Sequence, residues 1–168
     1  MPTIALFGIS IVFSFVAWGL VIVRAVWPAL RDRPRIEALR PLLVLNTFRF
    51  IGLSFLIPGV VSPDLPAAFA FDAAYGDLIA AVLAILSLAF LRGPLGMPLV
   101  WVFNIWGSLD LLNAFYQANQ AGLAPGQLGA AFFIPTAIVP LLLIMHALVF
   151  RLLLQREPVP VAAEAGGY

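Results

Sequence analysis

Five apolar stretches of membrane-spanning length constrain this chain more than any motif does. Residues 4–27, 41–61, 76–92, 99–117 and 132–153 each approach the ~20 residues that cross ~30 Å of hydrocarbon. Backbone amides in lipid need partners within their own segment, and continuous runs rich in Leu, Ala and Phe meet that need as helices. The expected fold class is therefore all-α, an integral membrane bundle of about five transmembrane helices over residues 1–156. Residues 157–168, built from Pro, Val, Ala, Gly and Glu, read as a disordered cytoplasmic tail. With 63% apolar residues, 10% charged residues and a mean hydropathy of +1.07, membrane spans must account for most of the chain. No basic segment precedes Ile4, and the apolar run to Val23 is too long for a signal-peptide core, so the first stretch reads as an uncleaved span.

Orientation follows from arginine, because positive residues stay on the cytoplasmic side during insertion. The nine basic residues are all arginine. Arg24, Arg31, Arg33, Arg35 and Arg40 lie at or between spans one and two, Arg92 between three and four, and Arg151 and Arg156 at the end of span five. The intervening loops hold only acids (Asp64, Asp72, Asp77) or, over 118–131, no charge at all. An odd number of spans with the N-terminus outside and the C-terminus in the cytoplasm satisfies this pattern, and a bacterial inner (plasma) membrane is the expected location.

Between spans two and three, residues 62–75 begin with two prolines and then carry Phe69, Phe71 and Tyr75, which suits a short interfacial helix or a structured loop with an aromatic anchor. Asp72 and Asp77 stand where they could cap the third span and meet the positive end of its dipole. Gly76, Ala80 and Ala84 form a smooth strip on that span, suited to internal packing or to homodimerisation.

Ionisable groups at membrane depth are the candidate site. Arg49 lies about nine residues into span two, roughly 13 Å deep at ~1.5 Å per residue, and Asp110 roughly 16 Å deep in span four. Each alone costs about 2.5–3.5 kcal/mol at a helix centre, so the economical arrangement faces both inward as a pair. Asn46 and Gly52 share a stripe with Arg49; Asn113 and Gln117 share one with Asp110, and Trp106 stands one turn before it. Asn104 lies about 120° off that second stripe, facing another helix. The single histidine, His146, sits on span five toward the cytoplasmic face, with Asn46 and Asn104 at a similar level. Pro140 deprives the Thr136 carbonyl of its helical donor, which predicts a kink and a free acceptor there. The expected cavity thus comprises Asn46, Arg49, Asp110, Asn113, Thr136 and His146, with Asp72, Tyr75 and Asp77 as outer-face candidates. A buried Arg–Asp pair and interhelical amides also serve plain architecture.

Several function classes find no support. The chain has no cysteine for disulfides, thiolate metal sites or thiol catalysis, and no Gly-rich phosphate loop, HExxH or GxSxG. The near-neutral net charge of +1 gives no patch for nucleic acid. One histidine makes no metal site, a bis-histidine haem would need a second chain, and no cofactor is named by the residues. In size and five-span plan the chain resembles the translocator family, without that family's tryptophan- and proline-rich motifs at matching positions. The likeness is of plan alone, and it carries no residues over.

Two readings follow. In the first, an intramembrane polar site binds or moves a small ligand or protons, with Arg49 holding an anionic or carbonyl group or neutralising Asp110, and His146 relaying protons. In the second, the chain is an accessory subunit of a larger membrane complex, docking through the span-three strip and segment 69–75, with a pigment-associated complex as one form of it. The bilayer is the expected environment, and a homodimer or larger complex the expected assembly.

Overall fold

The computed structural model describes residues 2–155; the tail at 157–168 lies outside them. Among the described residues the protein is all-α, with six helical elements. Four are long and apolar enough to cross a membrane: α1 (Thr3–Leu30), α2 (Arg35–Leu56), α3 (Ala67–Phe90) and α5 (Ile134–Leu154). Helix α4 (Gly96–Gln120) is as long but more polar, and a short 3-10 segment, Pro125–Phe132, precedes α5. Helix α1 carries the clearest environmental signal. Its most apolar stretch has a mean hydropathy of 2.5 yet is only 6% buried. A helix apolar on every side and covered on almost none suggests a lipid surrounding.

Two wide π-turns, at Ile22–Val26 and Ile134–Ile138, each end two residues before a proline, Pro28 and Pro140. Proline lacks an N–H and crowds the carbonyl four residues back, so the backbone widens to absorb it. This replaces the simple kink expected at Pro140. The carbonyl reached from another helix is that of Ala137, which accepts Trp18 Nε1 at 2.9 Å. Thr136, buried, instead turns its hydroxyl back onto Phe132 O at 2.7 Å.

Helix α2 changes character midway, α-helical to Asn46 and 3-10 over Thr47–Leu56. Three residues per turn stack every third side chain in one column. That column is Asn46, Arg49, Gly52 and Phe55, all buried. The hydrophobic pattern had pointed to a regular α-helix; the tighter winding straightens the stripe it had located.

Helix α3 corrects the reading of 62–76. Residues 67–75 are not a separate interfacial element; they are the first turns of one continuous helix that starts after Pro66. Asp72 and Asp77 therefore cap nothing, since Asp77 lies ten residues past Ala67, about 15 Å along the axis. Gly76, Ala80 and Ala84 are buried inside the bundle, where small side chains let α2 and α4 pack closely on either side of α3. That strip is consumed by internal packing and is not open for homodimerisation.

Arginine-bearing ends gather on one side, where Arg151 lies over the Trp27 ring at 3.8 Å and Arg35 bonds the Gln155 carbonyl. At the opposite end two loops are laced together, Ser62 N donating to Gln127 O at 2.9 Å and Ala130 N to Val60 O at 2.8 Å. Gly129 makes that lacing possible: its φ is +53°, and a Cβ there would run into the Val60 carbonyl. Gly129→Ala should therefore cost at least the ~1–2 kcal/mol of a left-handed non-glycine residue. Gly126→Ala, where a Cβ meets nothing, should stay within about 0.5 kcal/mol of wild type. Thermal unfolding of both variants in detergent checks the contrast; equal losses would contradict it.

Candidate functional site

The column on α2 delivers Arg49 to the centre of the bundle, where it is 1% exposed. Every nitrogen of its guanidinium is engaged. Nε donates to Asp77 Oδ1 at 2.8 Å, and Nη2 lies 2.7 Å from the same oxygen. Nη2 also donates to Asp110 Oδ2 at 2.6 Å. Nη1 donates to Gly107 O at 3.2 Å and faces His146 Nε2 at 3.2 Å. One side chain thereby ties α2 to α3, α4 and α5.

Arginine has no acceptor, so His146 Nε2 meets Nη1 with its lone pair and the ring proton sits on Nδ1. There it donates to Asn104 Oδ1 at 2.7 Å, while Asn104 Nδ2 donates to the His146 carbonyl at 3.2 Å. Both ring nitrogens are committed and Phe103 packs against the ring at 5.2 Å between centroids. The imidazole is a spacer between Arg49 and Asn104, with no free nitrogen for the cytoplasmic relay the sequence had suggested.

Three glycines make these approaches possible. A Cβ on Gly52 of α2 would overlap the Asp77 carboxylate, and one on Gly76 of α3 would overlap that of Asp110. A Cβ on Gly107 of α4 would stand 2.5 Å from His146 Cε1 and 2.7 Å from Arg49 Nη1. Each helix thus receives in a glycine socket the polar side chain of the next one along, from α2 through to α5.

The charges do not balance. Asp77 and Asp110 both converge on Nη2, so one cation answers two carboxylates. Among the described residues the second oxygen of each, Asp77 Oδ2 and Asp110 Oδ1, takes no hydrogen bond. Both residues line a cavity of about 260 Å³ in the half of the bundle away from the arginine-rich end. Its walls are mostly apolar and aromatic, with Phe7, Phe55, Phe69 and Phe115, joined by Leu123 and by Leu128 of the 3-10 segment. No three His, Cys, Asp or Glu side chains among the described residues converge as a metal site.

Of the residues singled out from sequence, Arg49, Asp110 and His146 meet in this network, and Asp77 joins them from the outer-face group. Asn46 is buried beside them in sequence but donates to Leu42 O at 2.8 Å, leaving its Oδ1 without a partner. Asn113 is exposed and lines a narrow groove with Asp72 and Gln117, where Gln117 Nε2 donates to Asp72 Oδ2 at 2.6 Å. Tyr75 is half exposed and stacks on Phe71 with centroids 6.1 Å apart. Asp77 and Gly107 were missed as members of the centre. Starting α3 at the prolines 63 and 66, as helix-start signals allow, would have put Asp77 at the depth of Arg49.

Fold and site define a helical bundle with four helices of spanning length and a buried Arg–Asp–Asp–His network. The chain belongs to the family described as Domain of unknown function (DUF8737), whose profile matches residues 6–154 and so spans the whole network. No curated protein and no solved structure matches the chain.

Removing Arg49 alone leaves two buried carboxylates without their counter-charge, a change of the kind that costs about 3–5 kcal/mol. Arg49→Leu should show a loss of that order, and Arg49→Leu combined with Asp77→Leu should recover part of it. Unfolding free energies of the wild type, both single variants and the double variant give the coupling; additive losses would show that the pair does not interact.

Proposed function

We propose that this protein is a five-span membrane protein that binds a small ligand in the cavity above the Asp77–Asp110 pair. The carrying observation is the cavity itself, about 260 Å³ with apolar walls and two carboxylates held in place by one arginine. Apolar pockets with a few convergent polar groups are the usual form of small-molecule sites. Arg49 is saturated by its own chain, so it orients the two acids and does not itself hold an anionic ligand. An engineered cavity of about 150 Å³ holds benzene, which scales to a ligand of about ten non-hydrogen atoms here.

The arginine distribution supports an outside N-terminus and a cytoplasmic C-terminus, with α4 crossing as the fourth span despite its polarity, because Asn104 and Gln117 turn toward α5 and α3. A bacterial inner membrane fits the same pattern. The accessory-subunit reading keeps one surface, the exposed Phe71–Tyr75 stack, which equally suits an aromatic anchor at the lipid–water boundary.

Orientation is open to a direct test because the chain is naturally free of cysteine. Asp64→Cys should react with a membrane-impermeant maleimide on intact cells, and Asp32→Cys only after permeabilisation; the reverse would invert the topology.

Binding is tested with 2-phenylethanol, which has the expected size, on protein in nanodiscs. At a hundredfold excess over Kd it should stabilise the fold by about 2.7 kcal/mol. Ala114→Phe, which adds a ring to the cavity wall and removes none of the charged groups, should abolish that gain. No stabilisation of the wild type by the alcohol or by its amine counterpart, 2-phenylethylamine, or an equal effect in the filled variant, would remove the ligand-binding reading. Copurification with a stoichiometric protein partner that covers Phe71 and Tyr75 would favour the accessory subunit.

A further inference from the structure

Granting the binding reading above, we infer that the cavity selects lipophilic monocations, amines with an apolar body of about ten non-hydrogen atoms, over neutral and anionic ligands of the same shape.

The first argument is the charge count at the cavity floor. Asp77 and Asp110 bring two negative charges within 2.7 Å and 2.6 Å of one guanidinium nitrogen, and Arg49 supplies a single positive one. His146 adds none, because its Nε2 faces Arg49 as an acceptor. The remaining charge has no fixed counter-ion in the protein. In an apolar interior an unbalanced charge is costly, so the balance is made by a proton or by a bound cation. An ammonium above the two carboxylates supplies the positive charge that Arg49 alone does not.

The walls make the same choice. Phe7, Phe55, Phe69 and Phe115 line the space above the acids, and Phe55 and Phe69 meet edge to face at 5.7 Å. Aromatic faces attract cations and accept the apolar remainder of an amine equally well. An anion would meet two carboxylates and ring faces, both repulsive to it.

The approach is biased as well. At this end of the bundle the exposed charged side chains among the described residues are Asp64 and Asp72, and Asp72 lies in the groove beside Asp110. Arg49 is the one arginine in this half among the described residues, and it is buried and neutralised. A field of one sign at a cleft mouth raises the local concentration of the opposite ion. The lettering of the site is thus the reverse of what an intramembrane arginine first implies.

The test uses three probes of matched shape, 2-phenylethylamine, 2-phenylethanol and phenylacetate, titrated calorimetrically into the full-length protein in nanodiscs, with empty nanodiscs as the blank. The amine is expected to bind at least tenfold more tightly than the alcohol, and the alcohol at least as tightly as the acid. In Asp110→Asn the excess charge is gone, so the amine's advantage over the alcohol should fall about tenfold. Ala114→Phe, which leaves every acid in place, should lose both. Alcohol binding as tight as the amine's, or tighter binding by phenylacetate, overturns the selectivity and leaves the binding site standing. Should Asp110→Asn fail to fold, the wild-type ranking decides alone. Failure of all three probes to bind overturns the binding reading itself.

Discussion

The saturated guanidinium of Arg49 is the interaction on which the rest depends. A charge this buried is tolerated only when its donors and its counter-charge are both met by the protein, and here three other helices contribute to that: Asp77 from α3, Asp110 and Gly107 from α4, His146 from α5. Apolar surface on helices of spanning length does not discriminate between partners, so directional bonds and close packing specify which faces meet. Arg49 does the first, and the glycine sockets do the second. Each carboxylate or ring reaches its place because the receiving helix has no Cβ there.

The two halves of the bundle are consequently different in kind. Toward the arginine-rich end the core is dense, with Leu39, Leu43, Val100, Phe103 and Val149 fully or almost fully buried. Toward the other end a second apolar cluster, with Phe55, Phe69, Leu128 and Ile134, surrounds the cavity, and the laced loops Val60–Ala130 and Ser62–Gln127 tie that end together. The polar network is the boundary between them. Its acids face the open half and its histidine and Asn104 anchor it to the closed half.

Much of this was legible along the chain, for identifiable reasons. Long apolar runs survive any detail of packing, so helical class and span-length elements follow from composition and period. Depth counts in residues, so Arg49 and Asp110 could be matched by rise alone, and the column of Asn46, Arg49 and Gly52 by spacing. Asp77 was misplaced because apolar length was used to start α3 at residue 76, when the preceding prolines, with polar Asp72 between aromatics, mark an earlier start. Asn113 and Thr136 were included by stripe and by proline chemistry. Neither argument fixes the angle at which a helix turns its stripe, and one faces outward while the other bonds its own backbone.

The sequence alone determined what had to be buried: a chain with five apolar stretches and one deep arginine must bring acids to it. Which acids, and in what number, only the tertiary structure decided. The reason is that neutralising one arginine needs one carboxylate, and local rules contain nothing that calls for a second. Two arrive because Gly52 and Gly76 let α3 and α4 each approach closely enough to place an acid on the same nitrogen. That excess, created by packing and invisible to periodicity, turns a structural ion pair into the floor of an acidic pocket.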